Sequence, residues 1–312
     1  MMKKVFLSVF VALVATVAAQ AQPIAVVSGN STNTYKTLAA AIEAAPAESV
    51  IYLPGGGFPI SDEVKITKKI TIIGIGYNAE SDNADGRTQI SGNLFFNAGS
   101  SGSAVMGCYI NGNVNIGEGD AQVDDVLIKY CNLNSVQVRN SSCRGTVVNQ
   151  NLIRSASGFS NAPVTMTNNI MSGVYGTRGA TISYNVICGS TFSDCHNSVD
   201  ISYNIILSGY YNGSNNQITG NMLYNSNFGD ACINLGLSNW DGVFVNNAGV
   251  NPVSNYHFTE TYQQYEGLCG IYGGSGFNDF QLPPVPYISS KTMPAETDAS
   301  GNLHVNITVK VK

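Results

Sequence analysis

The charged residues that could support chemistry recur at one position of a repeated phrase. Arg178, Asp194 and Asp230 each stand nine residues after an asparagine of that phrase, and His196 follows Asp194 closely. If the repeats stack in register, these side chains share one edge of the molecule. Asp194 and Asp230 would there bind a cation such as Ca²⁺ or act as acid and base, and Arg178 would meet a sugar carboxylate. The alternative is an unrelated set of charged loop residues, since loop lengths differ between repeats.

Four tyrosines form a second group of candidate ligand-binding residues. Tyr184 and Tyr203 immediately precede the asparagine of successive repeats, and Tyr210 and Tyr211 lie on the following loop. Their rings would present faces to sugars. The alternative is a purely stabilising ladder, because aligned neighbours contribute about 0.2–1 kcal/mol without any ligand.

The repeated phrase consists of an apolar residue, two variable positions, then Asn or Cys, followed by a further apolar pair. Its spacing near twenty residues is too short for each unit to bury a core alone, so neighbouring units must stack. We expect an internal column in which amides bond from coil to coil, thiols fill space, and the tolerance of Asn for left-handed dihedrals permits a bend. The column comprises Cys108, Cys131, Asn151, Asn169, Asn185, Asn204, Asn221 and Asn247.

The flanking elements predict one elongated all-β domain closed at both ends. A helix within residues 34–46 begins at a capping Thr34 and places Leu38, Ala41 and Ile42 on one face, which would cover the first coil. Residues 303–311 alternate between apolar and polar and predict a hairpin against the last coil. The predicted organisation is a signal peptide over 1–21, an N-terminal cap over 22–48, a β-helix over 49–255 and a C-terminal capping segment with hairpin over 256–312.

Composition and the leader limit the compartment and the partners. The first residues predict a secretory signal, since two lysines are followed by an apolar run over 5–17 and by small residues up to Ala21. We therefore expect a periplasmic, surface or secreted protein. No later stretch of the sequence is apolar and long enough to span a membrane. Charged residues make up 11% of the chain, and the net charge of −5 includes no basic stripe, which excludes nucleic acid as a partner. The three histidines are too dispersed for a zinc site. Seven cysteines include Cys188 and Cys195, which could close a loop disulfide.

Three features resemble the pectate-lyase-like superfamily of single-stranded right-handed parallel β-helices. They are the helix leading into residues 50–56, the step from residues 70–76 into 88–92, and the asparagine column, which together cover about residues 34–250. The tail resembles the ends of secreted, mostly uncharacterised β-helix proteins of Bacteroidetes. This resemblance implies fold and compartment. Lyases of the superfamily use a Lys or Arg base, commonly with Ca²⁺ held by acidic residues, and its hydrolases use several carboxylates.

Low charge favours a secreted or cell-surface β-helix with a polysaccharide-binding or adhesive role and no catalysis, whose partner is a polysaccharide or surface glycan. The alternative is a lyase or glycoside hydrolase acting on a uronate-containing polysaccharide, and a structural spacer is the third hypothesis. Only the lyase would need a cofactor, Ca²⁺. Trp240, the single tryptophan, is predicted to be a hydrophobic plug. The oligomeric state is left open.

Overall fold

The structure is a computed structural model that describes residues 23–78, 86–208, 210–224, 231–278, 283, 286–292, 300–302 and 304–310. The predicted signal peptide lies outside these residues. No helix in the described ranges is long and apolar enough to cross a membrane.

Thirty short strands, one α-helix and one 3-10 helix make up the described structure. The N-terminal elements are β1 (Ile24–Ser28), β2 (Ser31–Tyr35) and the helix α1 (Leu38–Ala44). The first coils contain β3 (Ser49–Tyr52), β4 (Gly56–Pro59), β5 (Ile70–Ile73), β6 (Thr88–Ser91), β7 (Leu94–Phe96), β8 (Ala104–Met106), β9 (Tyr109–Ile110), β10 (Val114–Ile116), β11 (Leu127–Lys129), β12 (Asn132–Leu133) and β13 (Val136–Val138). The later coils contain β14 (Thr146–Asn149), β15 (Leu152–Ile153), β16 (Ser157–Gly158), β17 (Val164–Thr167), β18 (Ile170–Thr177), β19 (Thr181–Ser183), β20 (Val186–His196), β21 (Asp200–Ser202), β22 (Ile205–Ile206), β23 (Tyr210–Ser214), β24 (Gln217–Thr219), β25 (Met222–Leu223) and β26 (Ile233–Asn234). The C-terminal elements are β27 (Phe244–Asn246), β28 (Asn255–Phe258), the 3-10 helix (Glu260–Tyr265), β29 (Tyr287–Thr292) and β30 (Asn306–Lys310).

The strands between β3 and β26 stack as a parallel β-solenoid of about eight turns, which confirms the predicted all-β β-helix. The first sheet runs from β3 through β5, β8, β11, β14, β17, β19 and β21 to β24. The second sheet contains β4, β6, β9, β12, β15, β22, β25 and β26, and the third contains β7, β10, β13, β16 and β23. The long strands β18 and β20 belong to both, because their first halves pair in the second sheet and their second halves pair in the third. Inward residues stack in columns, as Ile72, Val105 and Ile128 do, and are fully buried. These columns form the shared core that each coil alone could not make.

Helix α1 covers the open end of the first coil, as predicted. Leu38, Ala41 and Ile42 are buried against the core. The capping residue is Thr37 rather than Thr34, since the Thr37 Oγ1 accepts a hydrogen bond of 3.2 Å from the backbone N–H of Ala40. The residues around Thr34 instead form β2, whose polar, exposed strand ends the first sheet antiparallel to β1.

The C-terminal part departs from the prediction, because it covers the side of the solenoid rather than its far end. Parallel pairing stops at β26, well before residue 255, and β27 and β28 then form an antiparallel pair. This segment packs on the outer face of the second sheet, where the outward residues of five later coils are apolar and buried. They are Leu152, Ile170, Val186, Ile205 and Met222. Trp240 lies in the same cluster, 7% exposed, with its Nε1 donating to the Leu207 carbonyl, so it is a buried plug as predicted.

Beyond this segment the chain runs back toward the first coils as a strap, a name used here for residues 270–278 together with Pro283 and Pro286. The Gly270 N–H donates to the Tyr203 carbonyl at 2.8 Å and the Asn278 N–H to Gln150 Oε1 at 2.9 Å. Pro283 packs on Gly107, and Pro286 lies beside residues 23 and 52–54. The hairpin of β29 and β30 is present, but it follows Pro286 and so starts beside the first coils. Its predicted place against the last coil is therefore wrong.

Candidate functional site

The asparagines of the repeat form a continuous hydrogen-bonded column inside the solenoid. Asn185 is typical: its backbone N–H and its Nδ2 both donate to the Oδ1 of Asn204, at 2.9 and 3.0 Å. The same Nδ2 also lies within hydrogen-bonding distance of the carbonyls of Met166 and Ser183. These contacts satisfy backbone groups that the bend between two sheets would otherwise leave buried and unpaired. The pattern runs through Asn151, Asn169, Asn185, Asn204 and Asn221.

Two thiols occupy the same column in earlier coils. The Cys131 N–H donates to Asn151 Oδ1 at 2.9 Å, and its Sγ lies 3.3 Å from the Lys129 carbonyl. Cys108 is also fully buried. Burial raises the pKa of the Cys131 thiol to about 12 and raises that of Cys108 as well, so both groups are neutral at physiological pH. They pack as small apolar groups rather than acting as nucleophiles.

Two features of the predicted column are wrong. The left-handed conformation belongs to the residue before the column, as in Tyr130 (φ 54°) and Gln150 (φ 56°), and not to the asparagine itself. Asn247 lies outside the column, because it is exposed beside the antiparallel strand β27 and accepts a hydrogen bond from the Tyr256 hydroxyl. Cys188 and Cys195 carry free thiols rather than a disulfide.

The predicted charged cluster is only partly described. Thr177 pairs with Cys195 in adjacent coils, which places Arg178 and His196 at neighbouring register positions on one edge. Arg178 and Asp194 are exposed, and no ion pair within 4.0 Å joins them. The half-buried His196 contacts Ser214 Oγ through its Nδ1 at 3.1 Å. Asp230 lies outside the described residues, and the described part contains no group of three potential metal ligands.

The predicted tyrosine pair stacks, but it does not present a ring face. The Tyr184 and Tyr203 rings lie 5.2 Å apart at 11°. The other side of Tyr203 faces Gly220, and Tyr184 faces Gly273 and Gly274 of the strap, where an added Cβ would meet each ring within 3 Å. The stack supports the stabilising ladder, but 40% of Tyr203 is exposed, so contact of this pair with sugars stays a prediction.

The remaining two candidate tyrosines, Tyr210 and Tyr211, differ in what the structure describes of them. Tyr211 is partly buried and packs against the solenoid core, and its contact with sugars stays a prediction. Its hydroxyl contacts Asn216. Tyr210 belongs to β23, but its side chain lies outside the described part.

A different tyrosine, Tyr175, is exposed on the outer surface of the third sheet. Tyr175 lies in register with Gly158 of the preceding coil, and an added Cβ on Gly158 would come within 2.5 Å of the Tyr175 ring. The hydroxyl end of the ring thus extends over the space that glycine leaves, and 39% of the residue is exposed. The Tyr175 hydroxyl donates to Gln137 Oε1 at 3.2 Å, which fixes the orientation of the ring. The structure therefore provides an immobilised aromatic platform.

Planar polar groups continue this surface toward the first coils. Gln137 pairs in register with Asn115, and the exposed Arg139 guanidinium donates to Asn115 Oδ1 at 3.1 Å from Nη2. The Gln137 Nε2 donates to Ser135 Oγ at 3.0 Å. We call the surface of Gln137, Arg139 and Tyr175, with Gly158 beneath the ring, the Tyr175 face; Asn115 is buried and positions the Arg139 guanidinium. This face combines one flat apolar ring with fixed amide and guanidinium groups, the composition that binds sugar rings and their hydroxyls.

No family model, curated protein or solved structure matches this chain. The β-solenoid architecture is shown by the structure itself, and kinship with the pectate-lyase-like superfamily stays a prediction.

Sequence reasoning missed Tyr175 because it looked for aromatics adjacent to the repeated asparagine. The available signal was Gly158, a glycine inside a strand, which often marks a close approach of another group. Recognising that Tyr175 fills this position requires the register between β16 and β18, and the variable loop lengths conceal that register.

Proposed function

We propose that this chain is an exported β-helix protein that binds polysaccharide on the Tyr175 face without catalysis. The carrying observation is the Tyr175 ring, which extends over Gly158 while 39% of the residue is exposed. A sugar ring that stacks on such a surface gains apolar contact without first ordering the side chain. The leader and the resemblance of the repeat to secreted β-helix proteins support export.

The shape of the face favours a polymer over a small molecule. Its groups come from successive coils, and adjacent strands are separated by about 4.8 Å. Gln137 and Tyr175 therefore lie along the axis of the solenoid rather than around a closed pocket. A linear chain of sugars running along the axis would contact several of them at once.

The proposal is tested by affinity electrophoresis and calorimetry against a panel of neutral and acidic polysaccharides. Tyr175→Ala is expected to weaken the retained polysaccharide about three- to tenfold, the loss of one aromatic stacking contact. Gly158→Ala should weaken it similarly while Tyr175 is still present, because the new Cβ displaces the ring. Both variants should keep the melting temperature of the native protein within a few degrees, because Tyr175 is exposed.

The matched control is Tyr52→Ala, which removes a tyrosine of similar exposure, 41%, from the first sheet. It should leave binding unchanged. Equal losses in Tyr52→Ala and Tyr175→Ala, or retention of no polysaccharide at all, would contradict the proposal. Unsaturated products or new reducing ends in the same incubations would assign a lyase or a hydrolase instead.

A further inference from the structure

We infer that the structure contains a second, separate site, an arginine cleft on the second sheet that binds the oxyanion of an acidic glycan, either a carboxylate or a sulfate ester. The arginine cleft denotes the surface of Arg87, Tyr109, Asn132 and Arg154 bordered by residues 250–253. It encloses about 430 Å³. It lies on a different sheet from the Tyr175 face, and only the statement that its anionic ligand is a glycan rests on the proposed function.

Two guanidinium groups converge on one ring in this cleft. The Cζ of Arg87 lies 4.3 Å from the centroid of the Tyr109 ring, and the Cζ of Arg154 lies 4.9 Å from the same centroid. Cation–π contact of this kind stabilises each arginine in place. Each guanidinium carries a positive charge, and both border the same cleft, so an anion bound in the cleft would be attracted to both groups.

Neutral acceptors orient both arginines. Arg87 Nη2 donates to Gln89 Oε1 at 2.7 Å. Arg154 donates from Nη1 to Asn132 Oδ1 and from Nη2 to the Ile110 carbonyl at 3.1 Å. A guanidinium has five N–H donors, so these bonds fix the side chains and leave other donors for a ligand.

No carboxylate of the described chain neutralises these charges. The ion pairs within 4.0 Å among described residues involve Lys65, Lys69 and His257, and no described acidic residue borders the cleft. The chain as a whole carries a net charge of −5. A positive cleft in an acidic protein with few charges favours an anionic ligand that the planar guanidinium groups can hold through paired hydrogen bonds.

The location of the cleft follows from the outer face of the second sheet. The outward residues are Gln89, Tyr109 and Asn132 in successive coils, and the next one is Leu152. The C-terminal segment covers the apolar part from Leu152 onward and forms the wall of the cleft at residues 250–253. The polar coils are left accessible beside that wall, which makes a groove rather than a flat surface.

The experiment measures calorimetric binding of four probes to the full chain at 20 and 200 mM NaCl. The probes are tetragalacturonate, its methyl ester, a sulfated tetrasaccharide and inorganic sulfate. We expect an acidic tetrasaccharide to bind and the neutral ester to bind at least tenfold more weakly, with affinity falling at high salt. Preference for the carboxylated or the sulfated probe identifies the source of the oxyanion. Binding of inorganic sulfate alone would reduce the site to an adventitious anion site and overturn the inference.

Arg87→Gln and Arg154→Gln should each weaken the acidic probe about ten- to a hundredfold, the loss of a hydrogen bond to a charged group. Arg154→Lys keeps the charge but not the paired geometry and should fall between the native protein and Arg154→Gln. The matched control is Arg144→Gln, since Arg144 donates to backbone carbonyls of residues 141 and 143, away from the cleft. It should bind normally.

Several outcomes would overturn the inference. Equal affinity for acid and ester, or the same loss in Arg144→Gln, would remove the role of the cleft. Glu80, Asp82 and Asp85 lie outside the described residues, and if they neutralise the arginines the native protein will bind no acidic probe. Tyr175→Ala separates the two sites. Normal tetragalacturonate binding by this variant supports the arginine cleft, whether or not binding of neutral polysaccharide is lost. Loss of tetragalacturonate binding in Tyr175→Ala, with normal binding in Arg87→Gln and Arg154→Gln, would place the acidic ligand on the Tyr175 face and overturn the inference.

Discussion

At the scale of single residues, the column asparagines act as structural connectors between coils. Each amide joins its own coil to the next one and to the strand before it, as Asn185 does with Asn204 and Met166. The sequence alone predicted the position of this column from the repeated phrase. The left-handed bend at the preceding residue was only partly signalled by the sequence. Glycine or asparagine, which favour that conformation, occupies this position at Gly107, Asn168 and Gly220. In the other coils a tyrosine or glutamine adopts it, and there the closed geometry of the coil imposes the bend.

Asn185→Ala is expected to lower the free energy of unfolding by about 2–4 kcal/mol. The substitution removes the acceptor of the Asn169 backbone N–H and the side-chain donor to the carbonyls of Met166 and Ser183, all in a buried column. Urea denaturation followed by far-UV circular dichroism measures the change. Asn247→Ala is the control, because Asn247 fits the same sequence phrase but is exposed, and it should cost less than about 1 kcal/mol. Equal costs would show that the column is not what holds the coils together.

The buried thiols predict a loss of stability at high pH. The pKa of Cys131 is about 12 in the folded protein against 9.0 ordinarily, so above pH 9 the unfolded chain releases a proton that the folded protein retains. Stability from this group is complete below pH 9 and falls as the pH rises toward 12. Between pH 9 and 10 the native protein should lose about 1 kcal/mol more than Cys131→Ala. Parallel denaturation curves at pH 8, 9 and 10 measure this difference, and an unchanged pH dependence in Cys131→Ala would refute it.

At the scale of elements, the strands and the capping helix follow from sequence, but the role of the C-terminal segment does not. The repeated phrase ends in an apolar pair, as in Leu152–Ile153 and Ile170–Met171. Adjacent residues of a strand face opposite sides, so such a pair implies burial on both sides of the sheet. That signal, absent at Asn132–Leu133, could have indicated an outer layer over the later coils alone. Which segment supplies the layer depends on long-range packing that local pattern does not contain.

Two truncations distinguish the covering segment from the terminal hairpin. Removing residues 231–312 exposes five buried outward side chains of the second sheet, including Val186 and Ile205, and should give an aggregated product. Removing residues 287–312 takes away a hairpin whose strand β30 is fully exposed, and should leave a monodisperse protein. Size-exclusion chromatography and thermal melting of the two products provide the comparison. Soluble, cooperatively melting protein from the longer truncation would contradict the assignment of the covering layer.

At the scale of the whole molecule, the buried interior of the solenoid stabilises the fold, and the candidate binding sites lie on its outer surfaces. The interior is a set of apolar columns and one polar column, and it explains stacking without implying a ligand. The two candidate surfaces occupy different sheets, one centred on Tyr175 and one on Tyr109. The predicted charged edge at Arg178 and Asp194 is a third location and stays a prediction. Sequence periodicity predicted the solenoid, but loop lengths that vary between coils prevented it from placing outward residues beside one another.

The strap changes how a repeat protein of this kind should unfold. In an ordinary solenoid each coil touches only its neighbours, so the terminal coils can melt while the middle persists. Here one segment bonds to Tyr203 and Gln150 and packs on Gly107, which ties late coils to early ones. Early coils can form before the strap is in place, yet the strap cannot dock until the late coils exist. We therefore expect the coils of the solenoid to unfold as one cooperative unit. The strap must detach before the coils at either end can unfold separately.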